Sequence, residues 1–219
     1  MTSDYKITYS GRKTIGLYIR NGKVEVRAPL NCDTHFIQKF VQAKKSWIEK
    51  TIHLQSTRAV VPALGYGSGI SICGDMHTIV AADKYGIMDG KIFVPPGLAA
   101  DALSNACKIL LQKFAQEYLP NRVELFANKM GVSPSKIRIG NAKTSWGSCS
   151  SSGSITLSWR LIMCDLSCID YVVVHELAHL THMNHSSKFW SVVANVLPDY
   201  KMRNMMLKKL GSNISAQGW

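Results

Sequence analysis

The sequence lacks the features of membrane-spanning, secreted and disulfide-rich proteins. It contains no run of about 18 apolar residues, which excludes a transmembrane helix. Residues 1–6 lack the apolar stretch of a signal peptide. The six cysteines form no C-x-x-C pair, so we interpret them as free thiols in a reducing compartment. We therefore expect a cytoplasmic protein without membrane association.

Acidic residues are scarce as well. The chain has 14 Asp and Glu against 26 Lys and Arg, for a formal net charge of +12. This excess favours association with nucleic acid or other anions, although the basic residues are dispersed over most of the chain. The sequence has neither a P-loop nor an acidic metal cluster, which counts against a nucleotide hydrolase.

Residues 1–97 are predicted to form a β-rich N-terminal part with one helix. Alternating segments flank the dipeptide Asn21-Gly22, which is a strong hairpin signal. An apolar stripe then predicts a helix over roughly residues 34–53. Strand-like pieces resume after it and end at Pro95-Pro96-Gly97.

Residues 98–219 are predicted to form a second domain. An apolar stripe of helical period runs to about residue 130, where Gly131 is expected to cap the helix, and Pro120 is expected to break or kink it. Residues 136–141 and 154–162 resemble two strands of one hairpin. Further helical segments follow. The predicted fold class is therefore α+β, with a small antiparallel sheet and an active-site helix in the second domain.

The segment His175-Glu176-Leu177-Ala178-His179 is an H-E-x-x-H motif that follows an apolar run. Residues four apart lie on one face of a helix, so His175 and His179 can present their imidazoles to a single zinc ion. Glu176 projects toward the open position of that ion, where it can take a proton from bound water. The apolar run is expected to bury this helix and keep it rigid.

The third metal ligand has to come from beyond the motif, and two histidines follow. On a continuing helix, His182 would lie about 10 Å along the axis from His175, which is too far for convergence on one ion. His185 avoids this problem if the helix ends near residue 183. Asn184 can adopt the left-handed conformation that ends helices and turn His185 back toward the ion.

Carboxylates offer little competition for the third position. No glutamate follows Glu176 in the chain, and Asp199 is the only later carboxylate. We therefore predict His175, His179 and His185 as the zinc ligands, with Asp199 as the second choice for the third position.

The polar segment before the last predicted strand is expected to form the rim of the cleft. Its glycines, Gly147 and Gly153, allow close approach of the backbone. An exposed strand edge at this place can bind an extended peptide by strand addition. We predict Trp146, Gly147 and Ser148 as substrate-binding residues.

The histidine spacing resembles the metzincin pattern H-E-x-x-H-x-x-G-x-x-H, with His182 at the glycine position. Over a longer span the chain resembles the bacterial YgjP-like proteins, a metallopeptidase-like family akin to the SprT-like and WLM-type proteases. The segments that carry this resemblance are Trp146-Gly147-Ser148-Cys149 and residues 155–161, 170–180 and 184–190. The resemblance implies a zincin-like catalytic domain, His175, His179 and His185 as ligands of one zinc ion per chain, and Glu176 as the catalytic acid/base.

These observations predict a zinc-dependent metallohydrolase. The favoured function is a peptidase in which a zinc-activated water attacks a protein or peptide substrate and Glu176 acts as general base. Two alternatives stay open: a zinc-dependent hydrolase of nucleotide phosphoanhydrides, and a nucleic-acid-binding protein with a structural zinc. Structural zinc sites are closed by four protein ligands, whereas three are evident here.

Overall fold

The computed structural model describes residues 5–20, 22–56, 63–216 and 219, and in them helices are combined with three small sheets. The predicted α+β class is therefore confirmed. Contacts within the chain divide it into two units, Met1–Val61 and Pro62–Trp219. None of the helices seen in this part of the chain is long and apolar enough to cross a membrane.

The first unit combines three strands with two helices. Its elements are β1 (Tyr5–Ser10), β2 (Gly16–Arg20), β3 (Lys23–Pro29), α1 (Thr34–Ala43) and α2 (Lys45–Ser56). Strand β3 lies in the middle of the sheet, parallel to β1 and antiparallel to β2. The core of the first unit consists of Val24, Val26, Ala28, Ile37, Val41 and Ile48.

Two predictions for the first unit can be compared with this structure. Asn21 of the predicted turn lies outside the described residues, whereas Gly22 has a φ of 72°, the left-handed conformation that glycine favours. The single helix predicted over residues 34–53 is wrong, because the chain forms two helices. Lys44 separates them with φ −102° and ψ 6°, outside the helical range.

The second unit contains the remaining elements. These are β4 (Gly69–Ile72), β5 (Asp75–Ala81), β6 (Gly86–Met88), β7 (Lys91–Val94), α3 (Ala100–Met130), β8 (Lys136–Gly140), β9 (Gly147–Cys149), β10 (Ser154–Ser158), a 3-10 helix (Trp159–Met163), α4 (Leu166–Ala178), α5 (Ser187–Val196) and α6 (Tyr200–Ala216). Strands β4 to β7 form one sheet in the order β4-β5-β7-β6, and the other three form a second sheet in the order β8-β10-β9.

Helix α3 organises the core of the second unit. It buries a residue about every fourth position: Leu103, Cys107, Leu111, Ala115, Leu119 and Val123. The helix continues through Pro120 instead of breaking there, and Gly131 ends it with φ 66°, as predicted.

Contacts within the chain divide it between residues 61 and 62, whereas the sequence analysis divides it between residues 97 and 98, and that domain division stays a prediction. Strands β4 to β7 fall in the second unit because their buried residues join the core that α3 forms. Ile72, Ile79 and Ile92 belong to the same cluster as Leu103 and Leu111. The alternation of residues in a strand predicts which face is apolar, but not which distant helix will cover it.

The small sheet differs from the predicted hairpin. Strand β10 pairs with β8 in parallel, and it is β9 that runs antiparallel to β10. After β8 the chain passes to the other side of the position of β10 and forms β9 there. A tight connection then joins β9 to β10, and Gly153 in it has a φ of 77°. Strand β10 also ends at Ser158, where the 3-10 helix begins. The strand order β8-β10-β9 makes β9 an edge strand of this sheet.

Candidate metal centre

Helix α4 carries the H-E-x-x-H motif at its C-terminal end. The residues from Cys168 to Val174 are all buried, so the helix is enclosed by the core, as the apolar run predicts. His175 lies in its last turn, and His179 is the residue that ends it. The two imidazole rings are 5.0 Å apart between centroids, as their spacing of four residues predicts.

The turn after α4 brings His185 back to these two histidines. The helix ends at Ala178, and the amides of Thr181 and His182 both donate to the Ala178 carbonyl. His185 lies just before Ser186, which caps helix α5. The centroid of its ring is 4.9 Å from that of His175 and 4.8 Å from that of His179.

The prediction that Asn184 makes this turn is wrong. Cys73 and Asp89 are the non-glycine residues with positive φ in the part of the chain described, so Asn184 is not left-handed. The helix ends about five residues earlier than expected, and a short turn over residues 179–181 reverses the chain instead. The helix does end before His185, as its approach to His175 and His179 requires, but a different segment makes the turn.

The three histidines form a compact cluster of donor atoms. One ring nitrogen from each lies within 4.8 Å of those of the other two, and Nε2 of His175 is 3.0 Å from Nε2 of His185. Two nitrogen ligands of one tetrahedral zinc ion are about 3.4 Å apart, given Zn–N bonds of about 2.0–2.1 Å. The donor set and its spacing therefore fit a zinc ion.

His182 and Asp199 are the alternatives to His185 as the third ligand. His182 contributes its backbone carbonyl, which accepts from Nδ1 of His179 at 3.1 Å. This hydrogen bond places the proton on Nδ1 and leaves the lone pair of Nε2 free for a metal. Asp199 accepts from Nε of Arg203 at 2.8 Å. Neither side chain belongs to the cluster of donors found among the described residues.

Burial determines the protonation of the site. The pKa of His175 is lowered to about 4, first by burial and then by the neighbouring His179 and His185, so its imidazole stays neutral at pH 7. The pKa of Glu176 is raised to about 7 by burial, and the residue is 6% exposed. A carboxyl group with such a pKa can both accept and return a proton near neutral pH.

Aromatic rings enclose the histidines on one side. The Phe189 ring is fully buried, and its centroid lies 5.0, 4.6 and 4.8 Å from those of His175, His179 and His185. Trp190 stacks on His185 at 5.6 Å and on Tyr200 at 5.1 Å. These contacts restrict the orientation of the imidazole rings.

The predicted rim residues lie at the sheet edge beside Glu176. Gly147 begins β9, and a Cβ atom there would be 2.7 Å from both Cγ and Oε1 of Glu176. Only glycine allows this approach. Trp146 packs against Gly211 of α6, where an added Cβ would lie 3.0 Å from the indole ring. Ser148 is exposed on the same edge strand.

An ion-pair network that was not predicted fixes helix α4. Arg122 of α3 makes two hydrogen bonds to the Asp170 carboxylate, at 2.5 and 2.8 Å. Arg203 of α6 lies 3.9 Å from the same carboxylate and donates to the carbonyl of Ser167 at 3.1 Å. Asp170 is the one acidic residue in the apolar run before His175. A single carboxylate in an apolar helix was the sequence signal that could have indicated a buried ion pair.

Comparison with known proteins gives one family and a few structures. Residues 13–210 match the family described as YgjP-like, metallopeptidase domain. Among solved structures, the chain is similar to the metallopeptidase zymogen abylysin of Pyrococcus abyssi, with 29% identity, a TM-score of 0.38, and coverage of 42% of this chain and 94% of abylysin. It is also similar to the zymogen jannalysin of Methanocaldococcus jannaschii, with 20% identity, a TM-score of 0.37, and coverage of 42% and 96%. A search of curated proteins finds no match.

Proposed function

Because the chain belongs to the YgjP-like metallopeptidase family, we propose that it is a zinc peptidase whose chemistry takes place at the end of helix α4. One observation carries this proposal: three histidine nitrogens lie within 4.8 Å of one another, and the buried Glu176 directly follows the first of these histidines in the chain. No other described group of three His, Cys, Asp or Glu has its ligand atoms so close together.

His175, His179 and His185 hold the metal in this proposal. When bound, zinc supplies the Lewis acidity that polarises a carbonyl group and makes a water molecule more acidic. The hydrogen bond from His179 to the His182 carbonyl and the ring contacts of Phe189 orient the imidazoles, which reduces the cost of assembling the site. Three ligands leave a fourth position open, as catalytic zinc sites require.

Glu176 is the general base of the proposed reaction. Its carboxylate accepts a proton from the attacking water and passes it to the leaving amine. In the metal-free protein, burial behind Gly147 and in the surrounding core raises the pKa of this carboxyl group to about 7. The charge of a bound zinc ion would lower that pKa and favour the carboxylate form that accepts the proton.

The edge strand β9 is the proposed binding place for the substrate. Its outer edge forms no ladder within the described sheet, so an extended peptide can pair with it by main-chain hydrogen bonds. Trp146, Gly147 and Ser148 then lie alongside the peptide, and the scissile carbonyl is close to Glu176 because Gly147 is in contact with that residue. The substrate class is thus a protein or peptide in extended conformation.

Two further expectations stay predictions from the sequence. Association with nucleic acid rests on the net charge of +12 alone. A cytoplasmic location likewise rests on the composition of the chain.

The test is a comparison of Glu176→Gln with a matched control, Glu117→Gln, at an exposed position of helix α3. We expect Glu176→Gln to retain zinc and to lose hydrolysis of a casein-like substrate by about 100-fold or more, while the control keeps both. Full activity of Glu176→Gln with zinc bound would refute the assignment. Incubation with nucleoside triphosphates in parallel would reveal phosphoanhydride hydrolysis, which this proposal does not expect.

A further inference from the structure

Arg160 is a buried cation without an acidic partner. It lies in the 3-10 helix after β10 and is 4% exposed. Its Nη1 donates to Oδ1 and O of Asn141 at 2.9 and 3.2 Å and to the carbonyl of Ala142 at 3.4 Å. Nε is buried with no partner among the described residues. All of these acceptors are neutral, and burial lowers the pKa of Arg160.

The guanidinium carbon of Arg160 lies 4.6 Å from the centroid of the Trp159 ring, a cation–π contact that offsets part of the lost hydration but supplies no opposite charge. A buried charge is normally paired with an opposite charge, because it loses its hydration without recovering an equivalent interaction. Within the part of the chain described, no carboxylate forms an ion pair with Arg160. The network around Asp170 shows the contrast, since there Arg122 is matched by a carboxylate at 2.5 Å.

Arg160 lines a cavity of about 230 Å³ that carries further positive charge. Helix α3 contributes Asp101, Ser104 and Lys108 to the lining, Lys143 comes from the connection between β8 and β9, and Trp219 lies on another side. Three cationic side chains therefore share the cavity with one carboxylate, and Asp101 forms no ion pair within the described residues.

We propose that this cavity binds a small oxyanion, either a phosphate or a carboxylate group, held by Arg160, Lys108 and Lys143. Arginine and lysine are the side chains that bind such groups, with arginine adding a planar set of donors. The Ser104 hydroxyl offers one further donor. The site is separate from the three histidines and independent of their role.

Two sources of this oxyanion are consistent with the chemistry. One is a phosphorylated small molecule. The other is the free carboxylate at the end of a peptide chain.

Arg160 follows Ser158 by two residues, and the Ser158 amide donates to the carbonyl of Trp146 at 2.8 Å. This hydrogen bond joins the end of β10 to the residue before β9.

The test measures binding of two probes to the full chain by isothermal titration calorimetry at low ionic strength. The probes are inorganic phosphate and an N-acetylated dipeptide with a free carboxylate, with the C-terminal amide of that dipeptide as its control. We expect Lys108→Gln to weaken binding by about tenfold, because it removes a charged donor. Asp101→Asn should tighten binding, since it removes the carboxylate that repels the anion.

Lys113→Gln is the matched control, because Lys113 is an exposed lysine of the same helix outside the cavity lining. It should bind like the unmodified chain. Arg160→Gln should abolish binding; if this variant does not fold, the two variants at Lys108 and Asp101 decide the question. An anion bound at the histidines would respond to neither of them.

Each outcome bears on the proposal. Binding of phosphate that is tighter in Asp101→Asn and weaker in Lys108→Gln than in the unmodified chain supports the proposal and identifies the phosphate source. Binding of the dipeptide acid but not its amide supports it and identifies the carboxylate source. Absence of saturable binding of both probes to the unmodified chain up to on the order of 10 mM would overturn it. Equal binding to the unmodified chain, Lys108→Gln and Asp101→Asn would overturn it as well.

Discussion

Replacement of Gly147 by alanine tests the contact between the sheet edge and the proposed general base. The new Cβ would lie 2.7 Å from Cγ and Oε1 of Glu176 and 2.9 Å from Cδ. Non-bonded carbon atoms approach each other to about 3.5 Å, so the Glu176 side chain has to move by about 0.8 Å. Because Glu176 is 6% exposed, it has little free space in which to do so.

The substitution should affect both catalysis and stability. A displacement of about 1 Å in a reacting group costs on the order of 100-fold in rate, and we expect a loss of this size in kcat. Cγ, near the start of the Glu176 side chain, is among the atoms that must move. Overpacking of a buried site costs about 1–3 kcal/mol, so the free energy of unfolding should also fall, which lowers Tm by about 3–9 °C.

The assay measures kcat on a protein substrate together with zinc content and Tm. Gly86→Ala is the matched control, since Gly86 begins β6 and an added Cβ there would meet nothing within 4 Å. A Gly147→Ala enzyme with full zinc occupancy and kcat within twofold of the unmodified enzyme would show that Glu176 tolerates the displacement. The proposed positioning of the base by β9 would then be wrong.

Three further predictions concern the charges and ligands of the site. The folded state raises the pKa of Glu176 to about 7, so it holds a proton that the unfolded chain releases above about pH 4.5. The metal-free protein should therefore lose stability as the pH rises from about 4.5 to about 7. Compared with the unmodified protein, Glu176→Gln should be more stable at pH 8 by up to about 3 kcal/mol but not at pH 4, as measured by denaturation at both pH values. Asp170→Asn leaves Arg122 and Arg203 without their carboxylate and should cost about 3 kcal/mol in the free energy of unfolding; an unchanged Tm would contradict the structural role of this network. His185→Ala removes an exposed side chain, so metal-free Tm should stay the same while the rise in Tm on adding zinc is lost; a preserved rise would exclude His185 as a ligand.

The clustering of the three histidines could be predicted from the sequence because their arrangement is mostly local. His175 and His179 are four residues apart on one helix, and helical geometry brings such residues together in any context. The cluster with His185 followed from excluding a continuous helix, and the exclusion was sound although the turn lies elsewhere than at Asn184.

Features that depend on distant contacts were not predicted. The parallel pairing of β8 and β10 requires the chain to cross over, whereas adjacent strands in sequence favour a hairpin. The assignment of β4 to β7 to the second unit depends on their packing with α3. The burial of Arg160 beside a cavity also arises from three separated segments, so no local pattern indicated it.

The stacking of Trp190 on His185 gives the proposed metal centre an optical reporter. The two rings are 5.6 Å apart and inclined by 26°, so the indole lies next to the ion that the imidazole would bind. A paramagnetic ion such as Co²⁺ at the histidines should quench the fluorescence of this indole. The chain has five tryptophans, so the difference between the unmodified chain and Trp190→Phe isolates its emission. Metal exchange could then be followed in real time without a substrate.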